Sequence, residues 1–293
     1  MTEANKVTLM PDIKTNFKTV LGAVGRLPGI RNFVQHPFVR TRLVNVPGSQ
    51  YLYFGMFRTH PFDRVHGTDT GGVELPTDFG VNESVRSNAS AYLGSQPNVI
   101  RLALAHLPPL DSCSFVDLGC GKGRPLFVAS EFPFASIIGV ELSPRLAEIA
   151  QRNASIIAKC YPQRTAVTVV NADASAFAFP PGNLVIFLYH PFGYDVMAKV
   201  VARLEQALLV EGRSIYIVYY NPVIGRCFDA SNSFKRRFAG MLPYAPEEQG
   251  YGLDLTEDPV VIWQGGSQAP PPTCLTDLKI VVRPSGTGVE LVA

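Results

Sequence analysis

Short apolar runs alternate with longer stretches of helical periodicity between about residues 96 and 265. The run Leu184–Leu188 is apolar throughout, which is typical of a strand that is buried on both faces of a sheet. In the stretch from Pro144 to about Lys159, apolar residues recur at the spacing of one helix face. Strands that alternate with helices form βαβ units, so the pattern predicts an α/β fold with a doubly wound, mostly parallel sheet.

The predicted strands are apolar runs bounded by loop residues. They lie at residues 115–118, 137–141, 167–170, 184–188, 214–220, 260–263 and 278–282. We interpret the last two as an antiparallel hairpin that closes the sheet, although Gly265-Gly266 and the prolines at 270–272 separate them. We interpret the basic run Lys235–Arg237 as the solvated face of a helix.

The segment from Asp117 to Pro125 is the most informative motif. An apolar run ends in the carboxylate of Asp117, glycines follow at positions 119, 121 and 123, and Pro125 suits the first turn of a helix. Glycines let a backbone turn sharply and approach a ligand closely. The spacing differs from the G-x-G-x-x-G of dinucleotide sites, and a carboxylate here suits a cation better than a pyrophosphate. A glycine turn that Asp117 merely caps is the alternative.

Acidic residues also follow the next two predicted strands. Glu141 ends the run 137–141, close to the roughly 20-residue offset at which an acid reaches ribose hydroxyls. Asp173 follows the run 167–170, and Ala174 beside it offers backbone contacts. Each of these acids, taken alone, is also compatible with an ordinary solvated residue. Three acids after three successive strands predict one polar site.

These motifs resemble the class I S-adenosylmethionine-dependent methyltransferases over roughly residues 110–220. The resemblance implies a seven-strand, Rossmann-like sheet and S-adenosyl-L-methionine as the cofactor, which carries an ammonium and a sulfonium group. It implies that the glycine loop holds the methionine and ribose parts, Glu141 the ribose hydroxyls and Asp173 the adenine amino group. The implied cofactor-binding residues in this region are Asp117, Gly119, Cys120, Gly121, Gly123, Glu141, Asp173 and Ala174.

The segment Tyr189–Phe192 follows the fourth strand, where amino-group methyltransferases have Asn/Asp-Pro-Pro-Tyr/Phe. The resemblance is partial because His190 replaces Asn or Asp. The candidate catalytic residues are His190 as a general base, Pro191 as a backbone restraint, Phe192 as a cover for the methyl group, and the adjoining Tyr189. A structural histidine is the alternative. The methyl acceptor is an unidentified N or O nucleophile on a small molecule, a protein or an RNA.

Composition adds limits on compartment and partners. The chain has 293 residues and a formal net charge of +2, which does not indicate nucleic acid as a partner. Its five cysteines form no C-x-x-C pair, so the sequence indicates neither a zinc site nor a disulfide framework. Residues 1–20 lack a signal-peptide core, and no 18-residue apolar span occurs. We expect a soluble, cytoplasmic protein without a metal or a membrane span. The sequence does not indicate an oligomeric state.

The chain divides into two predicted regions. Residues 1–95 are predicted to form a partly helical N-terminal extension, and residues 96–293 the catalytic domain. Within the extension, Thr68 and Thr70 lie in a loop rich in Gly and Thr. The family resemblance makes them candidates for a lid over the methionine end of the cofactor, and a plain surface turn is the alternative.

Three classes of function are compatible with this pattern. The leading hypothesis is a methyltransferase that transfers a methyl group from S-adenosylmethionine by in-line displacement. A non-catalytic module that binds the cofactor or a partner is an alternative, because the segment after the fourth strand departs from the family pattern. An NAD-dependent oxidoreductase is a third, although the chain lacks the G-x-G-x-x-G loop.

Overall fold

The computed structural model describes residues 28–35, 38–39, 59–74, 76–79, 90–209, 212–249, 255–266, 278–283 and 288–292. Its strands in chain order are β1 (Val73–Glu74), β2 (Tyr92–Leu93), β3 (Cys113–Leu118), β4 (Ser136–Glu141), β5 (Val167–Asn171), β6 (Asn183–Tyr189), β7 (Ser214–Tyr220), β8 (Phe234–Pro243), β9 (Glu257–Gly266), β10 (Lys279–Val282) and β11 (Val289–Val292). Its α-helices are α1 (Pro28–Gln35), α2 (Pro61–His66), α3 (Pro97–Ala105), α4 (Arg124–Ala129), α5 (Pro144–Cys160), α6 (Tyr194–Ala207) and α7 (Arg226–Asp229).

A seven-stranded sheet with the order β5-β4-β3-β6-β7-β9-β8 forms the centre of the fold. The strands from β5 to β7 are parallel, and β9 and β8 join as an antiparallel pair at one edge. The chain winds outward in both directions from β3, so the switch in strand order falls between β3 and β6. The predicted doubly wound, mostly parallel seven-strand sheet is confirmed.

The central strands are apolar because both faces of the sheet are covered. Alternate residues of β3 point to opposite faces, so Phe115 packs in one hydrophobic cluster and Val116 in the other. Helices α3, α4 and α5 contribute to the first cluster, and α6 and α7 to the second. Strands buried in this way carry no alternation of polar and apolar residues.

Helix α5 begins as the sequence predicts. The Oγ of Ser143 accepts a hydrogen bond from the backbone N–H of Leu146 at 3.3 Å, and Pro144 occupies the first turn. Such a cap stabilises a helix by about 1 kcal/mol. Pro125 likewise lies in the first turn of α4, directly after the glycine loop. Both proline positions fix where a loop at the sheet edge ends.

The predicted pairing of the two late strands is wrong. The run 260–263 belongs to β9, which pairs with β7 and β8, whereas β10 pairs with β11 in a separate two-stranded sheet. Lys235–Arg237 lies in β8, an edge strand, and not in a helix. Charged side chains are common on edge strands because they discourage pairing with other chains, which is why this run resembled a solvated helix face. The prolines at 270–272 lie outside the described residues.

Candidate cofactor and acceptor site

A cavity of about 690 Å³ opens at the carboxyl edge of the parallel strands. The loops that follow β3, β4, β5 and β6 all contribute to its lining. Doubly wound sheets bind their ligands in this crevice, next to the switch in strand order. Asp117, Glu141, Asp173 and the segment Tyr189–Phe192 line this one cavity, although the sequence separates them widely.

The glycine loop can pack only because two of its residues lack a side chain. Gly119 has a φ of +89°, and a Cβ atom there would lie 2.5 Å from Cβ of Pro191. Gly121 has a φ of +54°, and its Cβ would collide with the ring of Tyr92. Both glycines line the cavity. The loops after β3 and β6 and the strand β2 are therefore packed directly against one another.

The two other predicted loop residues differ in position. Cys120 lies at the cavity but is only 2% exposed, and burial strongly raises the pKa of its thiol, so the side chain stays protonated and unreactive. Gly123 is absent from the cavity lining. It is the N-cap of α4 with a φ of +92°, and it packs against Phe127.

Asp117 is a buried carboxylate with an unused oxygen. The residue is 1% exposed, and its Oδ2 has no hydrogen-bond partner among the described residues. Burial raises the pKa of Asp117 well above its ordinary value, and the charge of Glu141 raises it further. An unpartnered buried polar atom costs free energy unless a ligand satisfies it. The position of Asp117 therefore favours a cationic or hydrogen-bond-donating ligand.

Glu141 joins the glycine loop to the start of α5. Its Oε2 accepts from the backbone N–H of Gly121 and its Oε1 from that of Ser143, each at 2.8 Å. Burial raises the pKa of Glu141, and these backbone donors oppose the rise. A carboxylate oxygen accepts more than one hydrogen bond, so acceptor capacity remains for ligand hydroxyls.

Asp173 and Ala174 lie at the same edge in a more open setting. Asp173 is exposed, and its Oδ1 accepts from the backbone N–H of Ser175 at 2.8 Å, which shapes the turn after β5. Oδ2 of Asp173 accepts no hydrogen bond from the described residues. Ala174 is buried and packs on the sheet. Both residues line the cavity.

His190 has two properties that are typical of functional residues. Its φ of +42° is left-handed, which is unusual for a residue with a Cβ atom, and its Nδ1 is buried without a partner among the described residues. Burial lowers the pKa of the imidazole, so the ring is neutral at physiological pH and can accept a proton. Pro191 and Phe192 line the cavity beside it, and Tyr189 stacks on Tyr220 with ring centroids 4.3 Å apart.

Thr68 and Thr70 lie outside the cavity, next to Asp63. Neither lines the cavity; both hydroxyls donate to Oδ1 of Asp63, at 2.8 and 2.6 Å. The Nε of Arg124 donates to Oγ1 of Thr70 at 2.7 Å, and its Nη2 lies 3.6 Å from Oδ2 of Asp63. We call Asp63, Thr68, Thr70 and Arg124 the buried tie. It fastens the segment around α2 to the beginning of α4.

Two parts of the cavity wall were not predicted from the sequence. The segment Ser90–Gln96 lines the cavity, and the backbone N–H of Ser90 donates to the carbonyl of Pro191 at 3.2 Å. The far wall includes Asn221, Tyr244, Asp258 and Arg283. None of these residues belongs to a motif with a characteristic spacing. The proline that follows Gln96 marks a helix start, but it gives no indication of a ligand.

The described residues contain no cluster of three or more His, Cys, Asp or Glu side chains that could hold a metal ion. None of their helices combines the length and the apolar composition needed to cross a bilayer.

Comparison with known proteins identifies the central part of the chain. Residues 115–212 match the family model described as "Methyltransferase domain". This part of the chain is therefore similar to methyltransferase domains. The match begins within β3 and ends between α6 and β7, and it includes the glycine loop, all three acids and His190. The match agrees with the family resemblance seen in the sequence.

Solved methyltransferases resemble this chain only distantly. An RNA methyltransferase from Salinibacter ruber in complex with S-adenosyl-L-homocysteine is 17% identical, with 60% of this chain and 96% of that chain covered and a TM-score of 0.39. A precorrin-6y C5,15-methyltransferase from Geobacter metallireducens is 15% identical, with 58% and 87% covered and a TM-score of 0.41. No curated protein matches the chain in sequence. Likeness at this level carries no information about the acceptor.

Proposed function

We propose that the protein is an S-adenosylmethionine-dependent methyltransferase that acts on an N or O nucleophile. The observation that carries the proposal is the unpartnered carboxylate of Asp117 at a cavity formed by the glycine loop. A site of this kind suits a ligand that brings its own positive charge. The match of residues 115–212 to methyltransferase domains supports the same chemistry.

The residues present fit the cofactor. We infer that Asp117 would bind the ammonium group, Glu141 the ribose hydroxyls and Asp173 the adenine amino group, since each is a hydrogen-bond acceptor at the same cavity. Gly119, Gly121 and the backbone of Cys120 and Ala174 would lie against the ligand. Gly123, Thr68 and Thr70 do not line the cavity, so we assign them supporting positions.

Little covalent chemistry is required of the side chains. When bound, S-adenosylmethionine supplies an electrophilic methyl group for in-line displacement, so the main task of the protein is orientation, which contributes up to roughly 7–11 kcal/mol. We assign His190 the role of accepting a proton from the acceptor through its neutral Nδ1. Pro191 and Phe192 would restrain the acceptor and exclude water, and Tyr189 would form part of the acceptor wall.

Calorimetry with S-adenosylhomocysteine, and with NADH as the contrasting ligand, tests cofactor binding. We expect binding of the first and none of the second. Transfer of labelled methyl groups to a panel of small molecules, proteins and RNA then tests turnover. Binding without turnover across the panel would favour the non-catalytic alternative, and binding of NADH alone would overturn the proposal.

Compartment and domain division remain proposals as well. Within the part of the chain that the structure describes, Cys113, Cys120, Cys160 and Cys227 form no disulfide, which favours a reducing compartment such as the cytoplasm. We propose that residues 96–293 carry the catalytic machinery and that Val73, Phe79 and residues 90–95 of the N-terminal extension complete the cavity wall.

A further inference from the structure

The cavity extends beyond His190 into a second half with different chemistry. We call it the distal half and define it by the lining residues Tyr189, Asn221, Tyr244, Asp258 and Arg283. In the sheet, Tyr189 of β6 pairs with Tyr220 of β7, which pairs with Val260 of β9. Neighbouring strands lie about 4.8 Å apart, so β9 runs about 10 Å from β6. A ring-sized molecule beside His190 therefore reaches the beginning of β9.

Asp258 is the buried acid of the distal half. It is 8% exposed, and its Oδ2 accepts hydrogen bonds from the hydroxyls of both Tyr220 and Tyr244, the latter at 2.5 Å. Both bonds use the same oxygen, and a carboxylate has two. Oδ1 is thus left for another donor. Within the described residues Asp258 forms no ion pair, and Arg283 pairs instead with Glu290 at 3.4 Å.

Two neutral hydroxyls and the charge of Arg283 favour the ionised form of Asp258. Burial raises the pKa of its carboxyl, while the hydrogen bonds from Tyr220 and Tyr244 and the charge of Arg283 oppose the rise. Two hydroxyl donors on one oxygen stabilise the ionised form. A buried carboxylate without an ion-pair partner favours a cationic ligand, because an unpaired buried charge is costly.

Three tyrosines lie at or near this carboxylate. The rings of Tyr189 and Tyr220 stack on each other. The hydroxyls of Tyr220 and Tyr244 both donate to Oδ2 of Asp258. Aromatic faces beside an acid form a typical environment for a positively charged nitrogen and for a flat ring. The whole cavity measures about 690 Å³ and must also hold the cofactor, so the space left suits a small acceptor.

We propose that Asp258 determines acceptor specificity and that the acceptor is a small aromatic molecule with a positively charged amino group. This proposal rests on the proposed function of the site. Asp258 binds the ammonium group through Oδ1, while Tyr220 and Tyr244 hold Oδ2 and fix the carboxylate. A protonated amine has no free electron pair, so the methylated atom is a different nucleophile of the same molecule, next to His190.

Two probes of matched shape and opposite charge test the proposal. Benzylamine and phenylacetate share a ring and a methylene group, and calorimetry measures both, with and without saturating S-adenosylhomocysteine. We expect benzylamine to bind at least tenfold more tightly to the unaltered protein. Asp258→Asn should abolish this preference. Glu247→Gln, which removes an exposed acid outside the cavity, should retain it.

Every outcome decides for or against the proposal. Equal binding of the two probes to the unaltered protein, or a preference for phenylacetate, overturns it even when Asp258→Asn fails to fold. A folded Asp258→Asn protein that still prefers benzylamine also overturns it. Tyr244→Phe keeps the carboxylate and should keep the preference at reduced affinity. Failure of S-adenosylhomocysteine to bind would sink the proposed function alone, because the probes are also measured without it.

Discussion

At the scale of single residues, the three acids of the cavity differ in what they already contact. Glu141 holds two backbone N–H groups, and Asp173 is exposed and caps a turn, but Asp117 has a buried oxygen without a partner. An unsatisfied buried carboxylate destabilises the ligand-free protein. We expect binding affinity to depend most steeply on Asp117.

Replacement of Asp117 by Asn should raise the melting temperature of the ligand-free protein at neutral pH. The pKa of Asp117 is raised on folding, so the stability it contributes is present at low pH and is lost as pH rises through the folded pKa. The gain from Asp117→Asn should therefore grow with pH in thermal scans. Cofactor affinity should fall about 10- to 100-fold, since a hydrogen bond to a charged group contributes about 1.5–3 kcal/mol.

Asp111→Asn is the matched control for this prediction. Asp111 is exposed and precedes β3 at the end opposite the cavity. The Asp111→Asn substitution should change neither the melting temperature nor the affinity for the cofactor. A gain at Asp117 that stays constant across pH would contradict the electrostatic explanation.

Replacement of His190 by Asn should separate turnover from binding. Asn tolerates the left-handed backbone of this position but cannot act as a base. We expect kcat to fall roughly 100-fold or more, with unchanged affinity for S-adenosylmethionine. Because burial lowers the pKa of His190, activity of the parent should decline at acidic pH with a midpoint below 6.5, and the variant should lack this limb.

His106→Asn controls for loss of a histidine ring. His106 stacks on Phe238 with ring centroids 3.9 Å apart and does not line the cavity. The pH profile of the activity of the His106→Asn protein should match that of the parent. A His190→Asn protein with the parent's acid limb would assign the ring a structural role.

At the scale of elements, the cavity depends on contacts between loops that are distant in the chain. The glycine loop touches Pro191 after β6 and Tyr92 of β2 at positions where a side chain would collide. The buried tie fastens α2 to the beginning of α4 through the side chains of Asp63 and Arg124, which are 0% and 2% exposed. Gly119, Gly121, Tyr92, Pro191 and Arg124 line the cavity, so these contacts hold parts of its wall together.

Loss of the Asp63 carboxylate should destabilise the fold strongly. Asp63→Ala leaves the guanidinium of Arg124 buried without its counter-charge, and breaking a buried pair in this way costs about 3–5 kcal/mol. Urea unfolding measures the change. Glu148→Gln, which breaks the exposed pair with Arg152, should change stability by less than about 0.5 kcal/mol. Equal effects of the two variants would show that the tie contributes little.

At the scale of the whole molecule, the strand order brings remote segments to one edge. The cavity lining includes residues from Val73 to Val289. A ligand that contacts several of these segments at once stabilises them together, because it binds only when they are assembled. Ligand binding should therefore order loops together even though they are far apart in the sequence.

Hydrogen exchange should reveal this linkage. Addition of S-adenosylhomocysteine should slow amide exchange in the loops after β3, β4, β5 and β6 and in Ser90–Gln96 together. The exposed end of α6 near Leu209 lies outside the cavity and should exchange at an unchanged rate. Protection limited to a single loop would contradict a shared binding cavity.

The sequence by itself determined the parallel strands, the glycine loop and the three acids at the strand ends. These features are local: an apolar run and the residue directly after it lie next to each other in space whatever the rest of the chain does. The cap of α5 by Ser143 was predictable for the same reason.

Only the tertiary structure decided which remote residues meet. It placed the Thr68 and Thr70 hydroxyls on Asp63, paired β8 with β9, and brought Tyr220 and Tyr244 to Asp258 across 38 and 14 residues of chain. Local periodicity contains no information about such contacts, because side-chain hydrogen bonds between distant segments depend on how helices and strands pack. The distal half of the cavity is therefore visible only in the folded molecule.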